Sequence, residues 1–273
     1  MAMERLIIVR GGGDLASGTI YKLRRCGFPI IALESPRPSA IRRRVAFSEA
    51  VYDSVSKVED MICRLAPSIS RAMEIIHAGD VAMMVDEDCR ILEEIRPWAL
   101  VDGIMAKRNF GTKRDMSDRT IALGPGFTAG LDVDLVIETM RGHDLGRIIE
   151  HGAALGNTGV PGLVGGIGDQ RVVRAECPGI LSPTAQIGDL VESGQVIAII
   201  QGANGDYQVL SQIRGILRGI IRDGYEVTAG LKIADIDPRE SERNNCFTIS
   251  DKSRCIAGSV LEGLLYLERR DGR

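Results

Sequence analysis

The chain has 273 residues, a formal net charge of −3, 44% apolar residues and only 4% aromatic ones. That length suits two compact domains or one large domain with an appendage, with a core that is aliphatic and packed on Ala and Gly. A slightly acidic balance leaves no electrostatic footprint for nucleic acid or an anionic membrane surface.

In chain order, Arg5–Val9 ("RLIIV") predicts a buried strand, too short for a signal-peptide core. Leu15, Thr19 and Leu23 recur at helical spacing with Ala16 and Ile20, which predicts a helix from Asp14 to about Arg25. Gly27 stops it, and Pro29–Glu34 is a second strand. A helix over Ile69–His77, the strand "DVAMMVD", a helix over Cys89–Ile95 and the strand Trp98–Asp102 follow. Arg119–Leu123 and Val133–Thr139 are further strands. This alternation predicts an α/β fold, a Rossmann-like parallel sheet with crossover helices over residues 1–140.

Residues 141–172 form a Gly-rich connecting segment containing "GNTGVPGLVGGIG". Beyond it lies an internal repeat. Gly179-Ile180-Leu181, Gly188, Val191, Gly194 and Ile197 recur as Gly215-Ile216-Leu217, Gly224, Val227, Gly230 and Ile233, each offset by 36. Two such copies imply a pseudo-two-fold β-sandwich over residues 173–240. The repeat resembles the biotinyl/lipoyl barrel-sandwich hybrid. Laid on that family's hairpin without a gap, Asn204 takes the place of the modified lysine, and no lysine lies between Gly179 and Gly230. Biotin and lipoate are therefore not expected. Residues 241–273 end in an amphipathic helix, with Ile256, Val260, Leu264 and Leu267 on one stripe, that packs back on a domain.

Six cysteines are scattered without C-x-x-C spacing, as free thiols of a reducing cytoplasm would be. No Ser/His/Asp order, H-E-x-x-H or P-loop is present, so hydrolase and P-loop classes lose ground, and no residue is assigned to catalysis or to a metal. His143 and His151 stand near the domain boundary and are more often surface residues than bases.

The candidate site begins at "RGGGDLASG". Gly11, Gly13 and Ala16 satisfy the G-x-G-x-x-G/A fingerprint, with Gly12 and Ser17 in the same loop, between a strand and a helix. Glu34 ends the second strand 21 residues after Gly13, close to the distance of a ribose-binding acid. Asp14 argues against a plain phosphate cradle, because a carboxylate at the helix start caps the free N–H groups itself. Arg42, Arg43 and Arg44 follow the second strand, and Asp102, Lys107 and Arg108 follow the fourth. With a strand order of 3-2-1-4, Gly11–Ser17, Asp102 and Lys107 would face one crevice at the strands' carboxyl ends. "GPGFTAGLDVD" offers a backbone nest for an anion, or plain turns.

Taken together, "RGGGDLASG", "IRRRVAFSEAVYD", "VDGIMAKRNFGT", "GPGFTAGLDVDLVIETMRGHDLGRII" and "GNTGVPG" resemble the YqeB family, whose members are accessory proteins of selenium-dependent molybdenum hydroxylase systems. The resemblance spans nearly the whole chain. It implies a factor that binds the molybdenum cofactor (molybdopterin) or a nucleotide and serves an apo molybdenum hydroxylase as its partner. The alternatives are an NAD(P)-dependent oxidoreductase, favoured by Glu34 and the fingerprint, and a non-catalytic protein-binding scaffold. A cytoplasmic location without membrane or nucleic-acid partners is expected, and homo-oligomerisation stays open.

Overall fold

The computed structural model describes residues 4–156, 159 and 162–271, so Asn157, Thr158, Val160 and Pro161 of the Gly-rich segment lie outside the described residues. The chain divides into two units. The first comprises Met1–Pro38, Ala46–Thr158 and Ile249–Arg273, and the second comprises Ser39–Val45 and Gly159–Thr248. The C-terminal helix belongs to the first unit.

The first unit opens with β1 (Ile7–Arg10), α1 (Asp14–Arg25), β2 (Ile30–Glu34) and the single-turn α2 (Ala50–Asp53). Next come β3 (Val55–Val58), β4 (Met61–Leu65), α3 (Ile69–His77), β5 (Val81–Val85) and β6 (Ala99–Asp102). β7 (Thr120–Leu123), β8 (Thr128–Ala129), β9 (Leu135–Ile137), β10 (Ile148–Ile149) and β11 (Gly152–Ala153) follow. Nine of these strands form one sheet in the order β10-β9-β7-β6-β1-β2-β5-β4-β3, while β8 pairs with β11. Strands from β4 to β9 across the sheet run parallel, and β3 and β10 close its two edges antiparallel. β1, β6 and β7 are buried throughout, as continuous apolar runs covered on both faces must be.

The central order β5-β2-β1-β6 is the 3-2-1-4 order on which the candidate site was built. The Rossmann-like fold itself is corrected. The sheet is larger and mixed, and no α-helix connects β6 to β7 or β7 to β9. Those connections are rich in Gly and short of apolar periodicity, so they form loops and 3-10 turns. The place beside α1 is filled instead by α4 (Asp251–Asp271), which also packs on β7 and β9. A Cβ at Gly18 of α1 would come within 2.0 Å of Ser253 Oγ, and one at Gly263 within 3.1 Å of Ile121 and Leu135 side chains. Small residues here let the helices and sheet approach closely. On the opposite side, α3 buries Ala72, Ile75 and Ile76 against Ile8, Ile31, Leu33 and Leu100. The expected helix over Cys89–Ile95 is only a 3-10 turn, Arg90–Glu93, entered through Cys89 at φ +59°.

The second unit contains β12 (Val172–Arg174), β13 (Gly179–Pro183), β14 (Leu190–Val191) and β15 (Val196–Gly202). After them come β16 (Gly205–Leu210), β17 (Gly215–Ile220), β18 (Tyr225–Val227) and β19 (Lys232–Asp237). The 36-residue repeat is visible in the pairing, because β14 of the first copy pairs with β17 of the second and β18 of the second with β13 of the first. Matched positions Leu181 and Leu217, Val191 and Val227, and Ile197 and Ile233 share one core. The biotinyl/lipoyl-like barrel-sandwich hybrid is nonetheless corrected. β12 and β16 each add a strand, giving two four-stranded antiparallel sheets, β12-β19-β17-β14 and β16-β15-β13-β18. The β15–β16 hairpin is paired down to Gly202 and Gly205, with Asn204 exposed in its turn.

Candidate functional site

β1 and β6 end in register, Arg10 beside Asp102, and the loops that leave them meet at the carboxyl end of the first unit's sheet. Gly11 has φ +91°, and a Cβ there would lie 3.1 Å from the backbone of Ile104 in the loop after β6. Its amide donates to Leu33 O at 2.7 Å. Gly12 is equally confined, with a Cβ position 2.8 Å from Ser48 N. Its N–H donates to Glu34 Oε2 at 2.8 Å, and its carbonyl accepts from Ser48 N and from Ser17 Oγ, both at 2.9 Å. Ser17 Oγ also accepts the amide of Phe47 at 2.8 Å. Gly103 crosses close above Ala16, and a Cβ built on Gly103 would lie 2.9 Å from the Ala16 Cβ.

Gly11, Gly12, Ala16, Ser17 and Glu34 are therefore brought together, with Gly12 bonded to both Glu34 and Ser17. Glu34 accepts a further amide from Ser35 at 2.8 Å. Burial raises its carboxyl pKa above the usual glutamate value, against the lowering by those N–H donors. Gly13 differs from its two neighbours. It has open space around its Cβ position and leads directly into Asp14 and the first turn of α1.

Asp102 is fully enclosed. Its Oδ2 accepts from Thr112 Oγ1 at 2.5 Å and lies 3.6 Å from Arg10 Nη1, and its Oδ1 accepts the Ile104 amide at 3.1 Å. Arg10, also buried, donates to Thr112 Oγ1, to Glu87 O and twice to Phe110 O. Burial pushes the Asp102 carboxyl up, and the hydroxyl, amide and guanidinium oppose it. This residue anchors the 103–112 loop from below. Lys107, at φ +65°, and Arg108 are exposed on that loop. The loop then touches the one after β7, where a Cβ at Gly126 would lie 2.7 Å from Arg108 N and Cα.

Arg42 and Arg43 are not part of this sheet end. They belong to the second unit, where Arg42 Nη2 donates to Asn245 O and Thr248 O at 2.8 and 3.1 Å and Arg43 Nε donates to Ile220 O at 2.8 Å. Arg44, His143 and His151 are exposed.

Sequence reasoning missed Arg10, Thr112, Phe110 and Lys252. Arg10 ends the strand run and carried a signal, namely a charge at the end of a buried apolar strand. Lys252, in the first turn of α4, has its pKa lowered by burial and by Arg141, and the fields of Asp14 and Glu138 raise it. At this sheet end the exposed cations Lys107 and Arg108 offer charge to an anion, while Asp14 sets a carboxylate in the first turn of α1. Among the described residues, no group of three His, Cys, Asp or Glu side chains is placed to hold a metal, and no helix is long and apolar enough to cross a membrane.

No family model matches the chain. It is homologous to the uncharacterized protein YqeB of Escherichia coli K12, 46% identical over 264 residues, a likeness that supports the YqeB family. The match covers 97% of this chain and 48% of YqeB, so the chain spans about half the length of that curated relative. Similar solved structures include an aspartoacylase family protein of Mesorhizobium loti, at 13% identity and a TM-score of 0.30, over 86% of this chain and 85% of that one. A succinylglutamate desuccinylase/aspartoacylase of Rhodobacter sphaeroides is similar at 12% identity and a TM-score of 0.28, again over 86% and 85%.

Proposed function

We propose that the first unit binds a phosphate-bearing pterin or a nucleotide at the carboxyl ends of β1, β6 and β7, and that the chain is an accessory factor in maturation of a selenium-dependent molybdenum hydroxylase. One observation carries the binding half: Gly11 and Ala16, on either side of Gly13, pack against Ile104 and Gly103 at the start of the loop that bears exposed Lys107 and Arg108. Free N–H groups at a helix start attract an oxyanion, and a guanidinium meets phosphate in a fork. The accessory role, with an apo-hydroxylase as proposed partner, comes from the resemblance of the sequence motifs; the likeness to uncharacterized YqeB supports the family alone.

The hydrogen bonding of the glycine loop bears on the choice between readings. In a dinucleotide site the glycine amides and the acid after the second strand serve the ligand. Here the Gly12 amide and the Glu34 carboxylate are bonded to each other, which weighs against the NAD(P) oxidoreductase reading. A molybdenum cofactor would be held by Gly13, Lys107 and Arg108, and what it supplies when bound in its hydroxylase is redox chemistry at the metal. This chain's residues would bind and orient it.

The test is expression in a host that makes the molybdenum cofactor, followed by mass spectrometry of whatever small molecule the purified chain releases. A pterin phosphate that disappears in the Lys107→Ala/Arg108→Ala variant is the expected result. Release of NAD(H) would support the oxidoreductase instead, and no released molecule would leave the scaffold reading.

A further inference from the structure

Phe110 keeps 47% of its surface exposed on a loop whose backbone is tied down on three sides. Both Nη atoms of Arg10 donate to its carbonyl at 3.1 Å. The Asn109 side chain brackets the next turn, donating to Thr112 O at 2.8 Å and accepting the Thr112 amide at 2.7 Å. Thr112 in turn is fastened to Asp102. A charged pair as buried as Arg10 and Asp102, with side chains 4% and 1% exposed, costs desolvation that an apolar pair would not. What it delivers here is a fixed path for residues 109–112. The Arg108 guanidinium lies over the Phe110 ring, 4.4 Å from its centroid. An exposed aromatic ring, backed by a cation and preorganised by a buried network, is a stacking surface for a planar heterocycle.

We infer that Phe110 and Arg108 form a platform that stacks the heterocyclic ring of the ligand, a purine or pterin, while its phosphate lies toward Gly13. The inference rests on the anion-binding reading above and adds the residues that hold the ligand's ring. Phe110 is a binding residue in this account, and Arg108 serves both the ring and the charge.

The experiment measures calorimetric affinities for two probes, GMP and ribose 5-phosphate, at one fixed salt concentration. Guanine shares its aminopyrimidinone edge with a pterin, and ribose 5-phosphate keeps the phosphate without a ring. Wild type should bind GMP more tightly than ribose 5-phosphate. Phe110→Ala should weaken GMP by at least about fivefold and leave ribose 5-phosphate unchanged, the loss typical of one stacked base. Phe110→Trp should restore GMP binding, and because the ring is exposed, thermal melts of all three proteins should agree. Equal affinity of Phe110→Ala and wild type for GMP overturns the platform, as does a parallel loss for both probes. A wild type that binds ribose 5-phosphate but gains nothing from guanine also overturns it and leaves the anion site standing. Conversely, if Phe110→Ala weakens GMP alone while Lys107→Ala changes neither probe, the platform stands and the anion reading falls.

Discussion

Glu34 accepts the amide proton of Gly12 across 2.8 Å, so the acid that a dinucleotide site would turn toward a ribose is turned into the protein's own glycine loop. Burial raises this carboxyl, which makes its folded pKa higher than its unfolded one. A raised acid contributes stability that is full below the ordinary glutamate value, about 4.3, and is lost as pH rises through the folded value. Urea midpoints across the weakly acidic range should therefore fall more with rising pH in wild type than in Glu34→Gln. Superimposable pH profiles of the two proteins would contradict the shift.

The two adjacent glycines should respond in opposite ways to a methyl group. Gly12→Ala forces a Cβ to within 2.8 Å of Ser48 N, and an overpacked site of that kind costs about 1–3 kcal/mol. Gly13→Ala enters open space at φ −69°, which any residue adopts, and should change stability by less than about 0.5 kcal/mol. Chemical denaturation of both variants checks the contrast, and equal effects would mean that the loop does not pack as described.

Arg10→Met removes the cation from above a buried carboxylate. Breaking a buried pair in this way costs about 3–5 kcal/mol. Because the same guanidinium holds Phe110 O, limited proteolysis should cut within residues 103–112 of the variant and spare wild type. A variant with intact stability and an uncut loop would show that the network is dispensable.

Thiol reactivity should sort by burial. Cys89 is 4% exposed and burial pushes its thiol up to about 11, while Cys63 and Cys246 are also buried and raised. Iodoacetamide at pH 8 should label exposed Cys26 and Cys255 in the native chain and reach the buried three only in denaturant. Rapid native labelling of Cys89 would contradict its burial.

Much of the first unit was legible because its strands are unbroken apolar runs. The helix Ile69–His77 matches to the residue, since Ser68 accepts from Arg71 N at its start and Gly79 follows its end. The β3–β4 hairpin was missed, because four- and five-residue strands with Lys57 and Arg64 on them give almost no periodicity. Arg42 and Arg43 were misplaced for a different reason. A basic run after a strand reads the same whether it meets a ligand or, as here, the carbonyls of Asn245, Thr248 and Ile220. The glycine loop was identified correctly as a special backbone, but whether it receives a ligand or a neighbouring loop depends on Ile104 and Ser48, distant in sequence. Phe110 carried no spacing signal at all.

The seat of Ser253 against Gly18 also has a consequence for how this chain is made. A ribosome releases α1 well before α4, with the residues of the second unit in between, and the second unit itself borrows Ser39–Val45 from the early part. The apolar flank of α1 must then wait through more than two hundred residues of synthesis before its cover arrives. Such late closure of distant contacts is slow and leaves greasy surface open to wrong partners. The groove that α4 covers therefore stays open until the residues of α4 are made.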